Sequence, residues 1–300
     1  MAEAIGYVED RKGEDDEVRR FLLGIGRGAA GAMLFGIPML MTMELWELGF
    51  YIERTRLLLL MVAAIPLLIM LAHLIGFERT TTWRQAIRDA TIAYGLGIAI
   101  SAAVLSMLGA IELQMPASAI LGTIALQAVP ASIGAMLGRS QLGGQAARED
   151  DDSGEGEGSS DDDPVPDTIA THYGHELFLM AVGALFLNLN VAPTEEVILI
   201  SYKMTHWHAL AAIIVSIAIM HAFVYAVAFK GTHEIPGDIA RWHVFVRFTL
   251  PGYIIAMLIS LYVLWTFGRL DDVGPTQVLM SVIVLSFPGA IGAASARLVL

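Results

Sequence analysis

The chain has 300 residues, 56% of them hydrophobic and 16% charged, where soluble domains carry about a quarter charged residues. With a mean hydropathy of +0.63, it is not an ordinary soluble domain. It has no cysteine, which excludes a disulfide, a thiolate metal site and a cysteine nucleophile, and its net charge of −12 comes largely from one acidic tract at residues 149–167, so no nucleic-acid partner is implied.

Residues 1–27 are charged and mixed in sign, and lack the apolar core and small-residue cleavage site of a secretory signal. They are expected to form a cytoplasmic N-terminal segment. Apolar runs of about 20 residues then recur, the length a helix needs to cross a bilayer. The runs are continuous, whereas barrel strands alternate polar and apolar residues. Eight spans are predicted, at 28–50, 57–77, 88–110, 118–138, 175–199, 207–229, 247–268 and 276–298. Between the fourth and fifth, residues 141–172 are rich in Asp, Glu, Ser and Gly and include Pro164 and Pro166. Such a segment cannot bury apolar area, and it reads as a disordered cytoplasmic linker.

The chain is written twice. Gly31, Thr42, Glu44 and Phe77 recur 152 residues later as Gly183, Thr194, Glu196 and Phe229. Trp83, Arg88 and Tyr94 recur 159 residues later as Trp242, Arg247 and Tyr253. Pro130, Ile133, Gly134, Ala135 and Arg139 recur as Pro288, Ile291, Gly292, Ala293 and Arg297. The expected fold is therefore an all-α membrane protein of eight transmembrane helices, arranged as two tandem four-helix repeats at 28–140 and 173–300. An even number of spans per repeat makes the repeats parallel, related by an axis along the membrane normal. On the side that holds both termini lie Arg11, Lys12, Arg19, Arg20, Arg27, Arg79, Arg84, Arg88, Arg139, Arg148, Lys230, Arg241, Arg247 and Arg297; the other side has Arg54, Arg56, Lys203 and Arg269. The positive-inside rule puts both termini in the cytoplasm.

The polar residues of the first and fifth spans are the candidates for chemistry. The first holds Thr42, Glu44 and Glu47 beside Trp46, Phe50 and Tyr51, which read as an aromatic belt. The fifth holds Asn188, Asn190, Pro193, Thr194, Glu195 and Glu196. Carboxylates, hydroxyls and a carbonyl left unpaired by proline are the hard oxygen ligands of monovalent or divalent cations, and carboxylates at this depth also suit proton coupling. The competing reading is that these acids are solvated helix ends. Pro130, Gly134, Pro288 and Gly292 fall within the fourth and eighth spans, where they read as close helix packing or as kinks lining a path. His73 and His221 lie inside spans without matching one another in the repeat. His206 and His208 belong to the opposite side from His172 and His175, so the four cannot share one metal. No nucleotide loop, zinc-protease motif or nucleophile elbow is present, and neither an enzyme nor a cofactor is expected.

The runs containing Leu40, Thr42, Glu44 and Trp46, then Leu126, Pro130 and Gly134, then Arg139, and then Ala192, Pro193, Thr194 and Glu196 resemble an uncharacterised family of prokaryotic integral membrane proteins, a domain of unknown function. The resemblance covers about residues 20–300 apart from the linker. It implies a multi-pass protein of the prokaryotic inner membrane and supplies no activity, substrate or site.

Two functions fit these residues. The first is a cation channel or proton-coupled cation transporter, in which Glu44, Glu47, Glu195, Glu196, Thr42, Thr194, Asn188 and Asn190 gather the cation at the outer side. The second is a non-transporting membrane module, such as a sensor, assembly factor or lipid-binding protein, for which the cue is the lack of a continuous polar stripe through most spans. A water-accessible path between the halves discriminates for transport, and a dry leucine-packed interface for the module. The lipid bilayer is the one certain partner. The ion, and homo-oligomerisation through small-residue faces, stay open.

Overall fold

The structure, a computed structural model, describes residues 19, 22–34, 36, 38, 42–75, 82–112, 114–151, 169–228 and 245–299. Their regular elements are all helices: α1 (Leu22–Leu34), α2 (Met43–Tyr51), α3 (Arg54–Ile75), α4 (Trp83–Met107), α5 (Ala117–Asp151), α6 (Ile169–Val191), α7 (Glu195–Lys203), α8 (His206–Ala228), α9 (Leu250–Thr266, entered through a π-helical turn, Phe245–Thr249) and α10 (Pro275–Val299). Seven of these, α3, α4, α5, α6, α8, α9 and α10, carry an apolar stretch long enough to cross a membrane.

The expectation of eight continuous spans needs correction at two places. The first span, 28–50, is not one helix. The short apolar α1 is followed by a separate nine-residue helix, α2, that starts after Thr42. The fifth span, 175–199, stops at Val191 and restarts as the nine-residue α7 after Thr194. Both threonines have extended backbone (φ −91°, ψ 120° and φ −71°, ψ 145°), and an acid follows within the first turn of each short helix. Threonine at the N-cap and glutamate in the first turn are start signals. At the second break Pro193 also removes a backbone donor and disfavours helix at the residue before it. A hydropathy window averages across such breaks.

The linker needs correction too. α5 runs on to Asp151 and α6 begins at Ile169, so residues 141–151 and 169–172 are helical. Residues 152–168 lie outside the described residues, as do Phe77, Phe229 and Trp242; of Arg139 and Arg297 the side chains do.

Two helices are central. α5 is flanked by α2, α3 and α4, and α10 by α6, α7, α8 and α9. Glycines bring the backbones together. A Cβ on Gly31 of α1 would lie 2.6 Å from Gly138 Cα of α5 and against the carbonyl of Gly134. A Cβ on Gly183 of α6 would lie 2.7 Å from Ala296 Cβ of α10 and against the carbonyl of Gly292. Small residues at such crossings allow close dispersion contact, the main attraction available to helices in lipid. Pro130 and Pro288 sit inside α5 and α10 without ending them.

The half formed by α1–α5 meets the half formed by α6–α10 along a thin seam, where α3 touches α6 and α9, and α5 touches α6. One apolar cluster runs through both halves, taking in Leu60 and Leu68 of α3, Leu185 and Leu189 of α6, and Val263 and Leu264 of α9. Other large apolar side chains point outward, among them Leu58, Val62 and Ile65 of α3 and Ile254, Leu258 and Leu261 of α9. An exposed apolar surface of this extent belongs in a bilayer.

The tight crossing predicts a contrast. Gly183→Ala should lower the unfolding midpoint in detergent, because overpacking of this kind costs about 1–3 kcal/mol. Gly95→Ala, where an added Cβ meets nothing within 4 Å, should leave the midpoint unchanged or raise it. Thermal unfolding followed by circular dichroism reads both.

Candidate functional site

The two helix breaks lie at the end of the bundle opposite the start of α1, and the sequence-predicted polar residues collect around them. Each short helix docks on the beginning of a central helix. α2 lies on α5, with Gly49 against Thr123, whose hydroxyl donates to the Trp46 carbonyl (3.3 Å). α7 lies on α10, where Gln277 Nε2 and Ser281 Oγ both donate to Ser201 Oγ (2.6 and 3.0 Å). Phe50, Tyr51, Tyr202 and Trp207 are exposed at the same level, as an aromatic belt requires.

Three of the four glutamates stand at the starts of the short helices. Glu44 is half-buried in the first turn of α2, with Glu47 exposed one turn on; Glu195 and Glu196 are exposed in the first turn of α7. A carboxylate there meets the positive end of the helix dipole, which accounts for the acids without a ligand. Thr194 Oγ1 donates back to the Val191 carbonyl (2.8 Å). Among the described residues no three acidic or histidine side chains come within reach of one metal ion, so the four glutamates do not gather at a single point.

The asparagines part company. Asn190 Nδ2 donates to the Phe186 carbonyl in its own helix (2.9 Å) and is consumed there. Asn188 is fully buried where α6, α9 and α10 meet. Its Nδ2 donates to Ser260 Oγ (2.9 Å), which in turn donates to the Ala256 carbonyl (2.7 Å). Its Oδ1 finds no protein donor and lies where a Cβ on Gly289, next to Pro288, would be 2.7 Å away. Gly134 and Gly292 serve the two tight crossings.

Three arginines that entered the sequence reading only as charges on the sparser side turn out to hold this end of the bundle. Arg269 donates to the Pro193 carbonyl at the α6–α7 break. Arg54 donates to the Gly49 carbonyl in the last turn of α2 (3.2 Å). Arg56 donates to the Trp265 carbonyl near the end of α9 (2.8 Å), makes a two-pronged pair with Asp271 (2.9 Å each) and a further pair with Glu53 (2.8 Å), and lies 5.0 Å over the Trp265 ring. Helix ends leave carbonyls unpaired, and at membrane depth each must find a donor. A sparse set of basic residues on a face otherwise charged only by acids, spaced near the predicted helix ends, was the available signal.

At the other end, His73 stacks on Trp83 (4.7 Å between ring centres) and His221 Nδ1 bonds Thr249 Oγ1 (3.0 Å) in the π-helical turn, so the two histidines do separate work.

Residues 24–300 match a family described as "Putative integral membrane protein (DUF2391)". The chain belongs to this family. The match spans both halves and every helix from α2 on, and it agrees with seven membrane-length helices. No curated protein and no solved structure matches the chain.

If Arg269 is the donor that closes the α6–α7 break, Arg269→Gln should lower the unfolding midpoint by the equivalent of about 1.5–3 kcal/mol, the range for a hydrogen bond to a charged group. Glu44→Gln and Glu196→Gln should leave the midpoint nearly unchanged. Differential scanning calorimetry of the purified protein distinguishes the two classes.

Proposed function

We propose that this DUF2391 protein is a non-conducting, lipid-binding membrane module built from two parallel repeats of four membrane passes each, the first pass of each broken into two helices, with both termini in the cytoplasm of a prokaryotic cell. The observation that carries this reading is the apolar cluster crossing the seam, in which leucines and valines of α3, α6 and α9 meet where a conduit would need polar walls. Several polar side chains inside the spans support it, because they are engaged in helix-to-helix bonds: Asn188 with Ser260, Tyr253 with Ser286, and Ser201 with Gln277 and Ser281. On the same ground no enzymatic role is assigned.

The repeat draws support from matched contacts. Gly31 on Gly134 and Gly183 on Gly292 are equivalent crossings, Gly49 on Thr123 is matched by Ser201 on Ser281, and the short helices α2 and α7 are both nine residues long. The topology draws support from the arginines. On the face opposite the start of α1, Arg54, Arg56 and Arg269 are spent on backbone carbonyls. Arg84, Arg88 and Arg247, at the other end, are exposed as the cytoplasmic side requires.

One feature favours a second reading, cation transport through a seam that opens. Discontinuous helices with polar residues at the break frame ion sites in many transporters, and here both breaks carry Thr-x-Glu. Proteoliposome flux of Na⁺, K⁺, Ca²⁺ and H⁺ decides between them. The module reading predicts no flux above protein-free vesicles, in wild type and in Glu44→Gln/Glu196→Gln alike. Flux in wild type that falls in the double variant would replace it with the transport reading.

A further inference from the structure

The contact that joins the two halves at the rim is made once, although the repeat carries the parts for making it twice. Arg56 of α3 is steadied by Glu53, three residues before it, and reaches the turn that ends α9, where it meets the Trp265 carbonyl and Asp271. That turn is left-handed at Gly268 (φ +70°), and Arg56 Nη1 lies 3.7 Å from where a Cβ on Gly268 would stand.

The turn that ends α4 has the same form. Gly109, at the 159-residue offset of the repeat, has φ +72°. Its amide bonds the Ser106 carbonyl as that of Gly268 bonds the Trp265 carbonyl. The next amide reaches back to the same place in both turns, from Ala110 to Leu105 and from Arg269 to Leu264. The acid recurs as well, since Asp271 corresponds to Glu112. Among the described residues nothing fills this second turn: a Cβ on Gly109 would meet nothing within 4 Å. Met107 is 76% exposed and Leu108 is exposed, whereas their counterparts Thr266 and Phe267 are buried.

The counterpart of Arg56 is His208, 152 residues on in α8, and that of Glu53 is Thr205. The local pairing is kept. His208 Nδ1 accepts from the Thr205 amide (3.2 Å) and lies 2.9 Å from its hydroxyl. With Nδ1 as the acceptor, the ring proton sits on Nε2, which becomes a donor suited to a carboxylate. His208 is exposed, and Trp207 beside it is 80% exposed. α8 packs chiefly on α10 and the π-helical turn of its own half, whereas α3 also crosses to α6 and α9. The donor and the acceptor of a second joint thus stand open on different halves of one chain.

A joint between unlike faces continues from unit to unit until it closes into a ring. We propose that two copies of the chain close such a ring of four halves, with His208 of each copy on the Glu112 turn of the other and Met107 and Trp207 covered at the joint. The occupant is a second copy because the open turn repeats the one that receives Arg56, and His208 is the chain's own repeat of that donor. The joint rests on the repeat reading above and is independent of the lipid-binding one.

Disulfide trapping in native membranes tests it. The chain has no cysteine, so Glu112→Cys and His208→Cys each introduce one thiol, both at exposed positions. Co-expressed with different tags and oxidised with copper phenanthroline, the two variants should give a disulfide-linked mixed dimer. Either variant expressed alone should give none, because like residues do not meet in this joint. A chain carrying both cysteines should stop at a covalent dimer. Mixed and self-linked dimers in equal yield would mark chance collision and overturn the joint, and so would the absence of any dimer. A ladder of longer products would overturn the ring of two copies. A disulfide inside the monomer would overturn the second copy while upholding the repeat.

Discussion

Leucine packed on leucine gains little inside a bilayer, because lipid tails are equally apolar. Helices there are held by contacts that lipid cannot imitate, and glycine crossings are where this molecule makes several of them. Gly31 lets α1 lie backbone to backbone on α5, and Gly183 does the same for α6 on α10. A helix brought that close fixes what surrounds it. α5 and α10 become the buried axes of their halves, and the short helices α2 and α7 find their seats on the exposed starts of those axes, at Thr123 and at Ser281. The breaks at Thr42 and Thr194 follow from the same geometry, since each short helix docks on the start of its axis only where the chain leaves the line of the helix before it.

The seam between the halves is of another kind. It is thin and made of leucine and valine, which lipid replaces at small cost. Polar bonds at the rim therefore specify how the halves meet. Arg56 of α3 joins the Trp265 carbonyl, the Trp265 ring and Asp271, all in the second half. Glycine thus works within the halves and Arg56 between them, while an apolar cluster lines the seam. This division of labour also marks the seam as the boundary along which the molecule would part if it ever opened.

Much of this was legible in the sequence. Span lengths followed from continuous apolar runs, and the glycines that make the crossings stand at matched places in the sequence, Gly31 with Gly183 and Gly134 with Gly292, because a backbone contact tolerates only the smallest residues. The helix breaks were hidden. Pro193, Thr194 and Glu195 are start-and-stop signals, but a window of 20 residues dilutes them with their apolar neighbours. Arg54, Arg56 and Arg269 read as mere charges because a carbonyl acceptor leaves no mark in a sequence; only the structure shows which helix end a long side chain reaches. The four glutamates were read as a shared site because their spacing repeats. Repetition is equally satisfied by two helix starts, each with its own acid at the dipole, and Glu44, Glu195 and Glu196 stand in such first turns. The acidic linker was read as unstructured through residues that continue α5, since composition does not register a helix propagating from its apolar part.

The central claim is that the seam is dry. The chain has no cysteine, so single cysteines placed in turn along α3, Arg54–Ile75, and reacted with a membrane-impermeant maleimide in reconstituted vesicles read water directly. The account predicts reaction at the two ends of the helix and none between. A reactive stripe recurring every three to four residues through the middle of α3 would contradict it, because such a stripe is the trace of a water-filled path along the seam.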